Sequence, residues 1–165
     1  MSNPESKLSL INRLTCCRHF SSLIGTLCNR PMGMQSGRIK NHMITASSIW
    51  NVNHAAHLAR LHGRRRGPYI GAWAAKYNNR YQWLQVYFGG ASKIIRISTQ
   101  GRQDANQWVT QYYVSHSMDR VHFSEYKERN NRKVIIGFIF HLSHMIAGLT
   151  IISFPGSSRT NRRGL

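Results

Sequence analysis

This chain is short of acid. Against 23 lysines and arginines it has five carboxylates: Glu5, Asp104, Asp119, Glu125 and Glu128. An enzyme built on paired carboxylates is hard to assemble from so few. A carboxylate cage for Mg²⁺ or Ca²⁺ is equally poorly supplied. Cysteine is scarce and odd in number, with Cys16, Cys17 and Cys28. At least one is left over within the chain, and the adjacent pair is poorly placed to bridge to itself. With no Cys-x-x-Cys pair, a thiolate zinc site is not expected. His141-x-x-His144 has no evident third ligand. Nucleophile elbow, phosphate loop and metal triad are all missing. No catalytic residue, cofactor or metal is therefore assigned, and the chain does not read as an enzyme. It has no Asn-x-Ser/Thr acceptor. It also shows no clear signal peptide, because the run Leu8-Ser9-Leu10-Ile11 is short and broken by Asn12, Arg13 and Arg18.

What is present is pattern. The chain has 165 residues, 41% of them hydrophobic, enough for one domain with a real core. Residues 83–88 alternate, with Leu84, Val86 and Phe88 on one face and Trp83, Gln85 and Tyr87 on the other. After a polar turn, residues 93–99 read as the next strand, with Ile95, Ile97 and Thr99 sharing a face. Residues 109–117, rich in Tyr and Val, are a further strand. Met118-Asp119-Arg120 reads as a tight turn into residues 121–126, giving a hairpin. Residues 43–46 form a short strand, and residues 57–61 return to the core. Trp73, Trp83 and Trp108 fit packing better than ligand contact. No segment between residues 43 and 126 has the length and caps of a helix. The expected class is all-β, most simply two packed sheets.

The order and spacing of short words along the chain resemble the discoidin domain, also called the coagulation factor V/VIII type C domain. Cys28-Asn29-Arg30-Pro31-Met32-Gly33-Met34 looks like the family's opening. Ser36-Gly37-Arg38-Ile39, Ile44-Thr45-Ala46-Ser47-Ser48, Ala59-Arg60-Leu61 and Gly71-Ala72-Trp73 follow. Then come Gln82-Trp83-Leu84-Gln85-Val86, Thr99-Gln100-Gly101 and Trp108-Val109. Agreement at many positions in order is hard to reach by chance. The resemblance implies a distorted jelly-roll β-sandwich or barrel. It implies a non-catalytic, extracellular or cell-surface adhesion module. Such a module binds an anionic membrane surface, a glycan or a protein through loops at one end.

By similarity, the binding loops here are residues 48–57, 61–71 and 101–107. The candidate contacts are Trp50, Asn51, Asn53, Arg64, Arg65, Arg66, Tyr69, Arg102 and Gln103. Trp50 offers an apolar tip with a polar N–H, suited to a membrane interface or to a sugar face. The arginine run supplies fixed charge for phosphate or sulfate. Trp50 folded back on the domain and a plain solvated arginine turn are the simpler alternatives. The net charge of +18 also allows nonspecific polyanion or nucleic-acid binding. Nucleic acid is the less expected partner, because no reading helix, zinc finger or RNA-stacking motif is present.

The chain departs from the family pattern in places. Tyr87-Phe88 stands where Asp and Leu are usual, Gln35 where Glu is usual, and Arg120 where Gly usually follows Asp119. The loss of acids makes calcium less expected. After Arg132-Lys133-Val134-Ile135-Ile136-Gly137 the resemblance stops, and the final Cys that would bridge to Cys28 is missing. The expectation is an incomplete member lacking its final strands, with a non-functional truncated product as one alternative. The organisation expected is an irregular basic leader (1–27), a partial discoidin-like domain (28–137), a separate apolar segment (138–154) and a disordered tail (155–165). Val134 to Phe154 is long and apolar enough to suggest a single-pass anchor, with a C-terminal helix or strands improvised against the open core, or non-native translated sequence, as the alternatives.

Overall fold

A computed structural model describes residues 15–17, 30–136 and 139–154. Cys28 and the expected tail lie outside the described residues. The structure is all-β, and among the described residues the helical turns are three short 3₁₀ pieces at Asn41–Met43, Val52–His54 and Ala56–Leu58. The strands are β1 (Thr15–Cys17), β2 (Arg30–Pro31), β3 (Ile44–Ala46), β4 (Trp83–Ser98) and β5 (Gln111–Ser117). They continue with β6 (Ser124–Glu125), β7 (Lys127–Glu128), β8 (Asn131–Arg132), β9 (Ile135–Ile136) and β10 (Ile139–Phe154). Eight of them join one sheet in the order β2-β1-β4-β10-β5-β6, with β3 on β4 and β9 on β5; β7 and β8 form a separate hairpin.

Residues 83–98 make one long strand rather than two strands and a polar turn. Its first half alternates as the sequence dictates, burying Leu84, Val86 and Phe88. At Gly89 (φ 77°) and Gly90 (φ 155°) the backbone enters conformations that side chains with a Cβ resist. Here the pairing with β10 slips, from Tyr87↔Gly148 to Ser92↔Ile146. Both halves of β4 feed one core: Leu84, Val86, Phe88, Ile94 and Ile97 pack with Met34, Ile39, Trp73, Tyr112 and Val114. The strand therefore turns a corner, and the sheet folds into two layers with the core between them. Beyond the corner the phase also changes. Ile94 and Ile97 are buried, whereas Ile95 is only half-buried. A second register shift, between His141 and His144 of β10, displaces the simple alternation expected for Ile95, Ile97 and Thr99.

Three expectations are corrected by the strands at the chain's ends. Residues 139–154 are a strand and not a helix. β10 lies between β4 and β5 and pairs with both, occupying the place where closing strands were expected to be missing. The physical reason is the backbone demand of its neighbours: β4 and β5 each present an unpaired edge, and an apolar chain rich in Ile satisfies both at once. Among the described residues no helix is long and apolar enough to cross a membrane. Residues 15–17 fall within the expected irregular leader, yet they pair with β4 beside Lys93 and Ile94.

Candidate functional site

The register places the loops. Ala46 pairs with Leu84, Trp83 with Ile152, and Gln111 with Phe154. The chain leaving β3 and the chain entering β5 are therefore at the same end of the first layer. The corner of β4 and the turn after Ser117 are at the other end, since Ser117 pairs with Gly148 and Gly148 with Tyr87.

The first loop, residues 48–57, is wound into two 3₁₀ turns. Asn51 starts the first of them, its side chain accepting from the Asn53 N–H at 3.0 Å and lying 2.6 Å from Nδ1 of buried His54. Asn51 is thus committed to shaping the loop. The Trp50 N–H donates to the Ala74 carbonyl (2.7 Å), and buried Trp73 donates through Nε1 to the Ser48 carbonyl (2.8 Å). The base is fixed and the tip stays out: Trp50 is 44% exposed, Val52 66% and Ile49 40%. As expected, Trp73 is core, while Trp83 and Trp108 are half-buried.

The second loop, residues 61–71, sits against the first. The Ile70 N–H donates to the Asn53 carbonyl at 3.2 Å. Its neck is closed by two glycines. A Cβ on Gly71 (φ 68°) would stand 2.6 Å from the Gly63 carbonyl carbon and 2.7 Å from the Arg64 nitrogen. Only glycine allows that approach. At the tip, Arg66 and Tyr69 exchange backbone hydrogen bonds of 2.8 and 3.1 Å around Gly67-Pro68. Arg64, Arg65, Arg66 and Tyr69 are all exposed.

The third loop, residues 101–107, is held by Arg102. Its guanidinium pairs with Asp104, with one nitrogen 3.1 Å from Oδ2, and reaches Gln107 Oε1 at 3.2 Å. Arg102 beside it holds the Asp104 carboxyl below the usual range, with Arg65 adding to the effect. Arg102 is therefore a clasp inside its loop, whereas Gln103 is exposed. A bond from the His62 N–H to Gln100 Oε1 (3.1 Å) ties the second loop to the residue that leads into the third.

All three expected loops thus gather at one end. Trp50, Arg64, Arg65, Arg66, Tyr69 and Gln103 face solvent there; Asn51 and Arg102 are tied into their own loops, and the Asn53 carbonyl bridges two of them. The neighbouring turn, residues 76–82, was not among the expected loops. The Lys76 N–H donates to Ser48 Oγ (3.0 Å). Gln82 Oε1 accepts from Ser47 (3.0 Å) and Ser48 (2.5 Å), while its Nε2 donates to Asn79 Oδ1 (2.9 Å). The signal was available: Lys76-Tyr77-Asn78-Asn79-Arg80-Tyr81 interleaves cations and aromatics.

At the opposite end a shallow groove of about 440 Å³ is lined by His42, Met43, Tyr87, Asp119, Arg120 and Val121 among others. Arg120 lies over the Tyr87 ring, 4.4 Å from its centroid. That stack covers the Tyr87 ring in the groove. Among the described residues no group of three or more His, Cys, Asp and Glu could hold a metal.

The family model described as F5/8 type C domain matches residues 43–145. The chain is 37% identical to lactadherin of Rattus norvegicus over 71% of its own length, covering 29% of that protein. It is 35% identical to coagulation factor V of Sus scrofa over 73% of its length, covering 5% of that protein. The chain therefore spans under a third of the length of these relatives. Discoidin II from Dictyostelium discoideum shares the fold, with a TM-score of 0.58 at 21% identity over 68% of this chain and 48% of that one. The matched span begins before β3 and runs into β10, so it takes in the loop-bearing layer and the corner together. On that match, this chain belongs to the F5/8 type C, or discoidin, domain family.

Proposed function

We propose that this chain is a non-catalytic recognition module that docks its loop end on an anionic phospholipid surface outside the cell. The observation that carries the reading is the pairing at one end of an exposed apolar tip, Ile49, Trp50 and Val52, with the exposed run Arg64-Arg65-Arg66. An indole prefers the headgroup level, where its ring is half in hydrocarbon and its N–H is hydrated. Aliphatic neighbours deepen the insertion. Arginines alongside draw anionic headgroups and hold phosphate with planar, paired hydrogen bonds. The rigid loop bases support the same reading, since little ordering remains to oppose binding. Binding a glycan or an extracellular protein would use the same face. In that case Trp50 would stack on a sugar or partner, with no need for negative lipid.

Cosedimentation with vesicles of phosphatidylserine in phosphatidylcholine tests the proposal. The chain should bind these and leave pure phosphatidylcholine in solution. Trp50→Ala should weaken binding by about tenfold or more, from the loss of one large inserted side chain. Native-like binding of that variant would remove the tip from the contact and overturn the reading.

A further inference from the structure

Arg120 stands in the turn after β5, in the groove at the end opposite the loops. Its guanidinium rests over the Tyr87 ring, 4.4 Å from the centroid. A guanidinium steadied on a ring keeps its N–H donors available to grip a carboxylate with paired hydrogen bonds. Its backbone is held at φ 69° while its N–H donates to Ser117 Oγ at 2.8 Å. That conformation strains a residue with a Cβ, and strain of this kind gathers at functional sites.

Arg120 lacks a carboxylate partner among the described residues. Neighbouring Asp119 is spent on its own turn, accepting from Ser117 Oγ, from the N–H groups of Val121 and His122, and from the His122 ring. Asp104, Glu125 and Glu128 pair with Arg102, Arg132 and Lys133. Lys40, His42 and His122 are exposed as well, and His42 lines the groove. The same turn leaves two large apolar side chains in water: Met118 is 57% exposed and Val121 74%. They flank Asp119-Arg120, and Val121 and Met43 are walls of the groove.

We infer that this groove docks an acidic peptide segment of a partner protein. Arg120 takes a carboxylate, and Val121, Met118 and Met43 cover an aliphatic side chain beside it. Charge complementarity selects an acid. The exposed aliphatics select a peptide over a small anion or a sugar acid, which would leave them in water. Tyr87 is a positioning residue that acts through Arg120. The inference does not rest on the membrane reading, because the loops lie at the other end of the molecule.

The test is an NMR titration of the full chain with a short capped peptide carrying one glutamate between leucines, and with its glutamine counterpart. The glutamate peptide should shift the amides of Thr45, Gln85 and Val121, and the glutamine peptide should shift them far less. Arg120→Gly relieves the backbone strain, so it should fold, and it should bind the glutamate peptide about tenfold or more weakly. Arg120→Lys keeps the charge without the planar fork and should also bind several-fold more weakly. Tyr87→Phe keeps the ring and should bind as native, whereas Tyr87→Asp sets a carboxylate against Arg120 and should block the site. Lys76→Gln/Arg80→Gln removes two exposed cations at the loop end and should leave peptide binding unchanged. The amide spectrum of each variant shows that it is folded. Native-like binding by Arg120→Gly overturns the inference, as does an equal response to both peptides or no shift at millimolar glutamate peptide. An equal loss in Lys76→Gln/Arg80→Gln overturns it too, because net charge alone would then explain the effect.

Discussion

Tyr87 and Arg120 each break the family pattern, and singly each looks unfavourable. Arg120 occupies a left-handed backbone position (φ 69°) that glycine usually fills. Its guanidinium then covers Tyr87, where an acid is usual, so the two departures meet as a cation–π pair. Asp119 holds the same turn, accepting from the backbone of Val121 and His122 at 2.8 Å each and from Ser117 Oγ at 2.9 Å. The His122 ring at 2.6 Å leads the effects that hold its carboxyl well below the usual range. Such pairing across sequence is invisible in a list of departures. Tyr112 shows the same limit. Its ring is expected in a strand, but only packing shows that its hydroxyl is buried with no well-formed hydrogen bond, Thr99 being a polar neighbour. Burial pushes its pKa up to about 12. The unfolded chain ionises first, near pH 10. Stability from this group is therefore complete below that pH and declines as pH rises towards 12. Tyr112→Phe should stabilise the chain by about 1 kcal/mol at neutral pH and flatten its loss of stability above pH ~10, as read by urea melts across pH.

At the scale of elements, β4 and β10 decide the architecture. Alternation at Leu84, Val86 and Phe88 was legible because a half-buried strand must place apolar side chains two apart. The corner was not, because Gly89-Gly90 reads equally as a turn between two strands. The difference lies in β10, which follows β4 around the bend and keeps both halves paired. Gly89→Ala should therefore strain the corner, costing about 1–2 kcal/mol for a Cβ at positive φ. A lower urea midpoint with an unchanged slope would show it. An unchanged midpoint would mean that the corner tolerates a side chain. The fate of residues 139–154 could not be read from hydropathy, since a long apolar run suits a buried strand as well as a helix.

For the whole molecule, charge and shape act together. The formal charge is +18; Asp104, Glu125 and Glu128 sit in local ion pairs with Arg or Lys and Asp119 is bound by the His122 ring, so the exposed arginines of the second loop dominate the field of the loop end. Binding to phosphatidylserine vesicles should fall as salt rises yet persist in part at high salt, because the apolar insertion is not screened. Complete loss at high salt, with equal affinity for DNA, would instead mark a nonspecific polyanion binder. The sequence alone determined the β class and the three loop segments, because alternation and turn residues are local properties of the chain, and the order of its short motifs carried the family resemblance. Only the tertiary structure decided that β10 closes the sheet and that Arg102 is a clasp. It also decided that residues 76–82 join the loop end. These depend on hydrogen bonds and ion pairs between segments distant in sequence, or on which side chains a folded loop leaves facing water, and no local pattern encodes them.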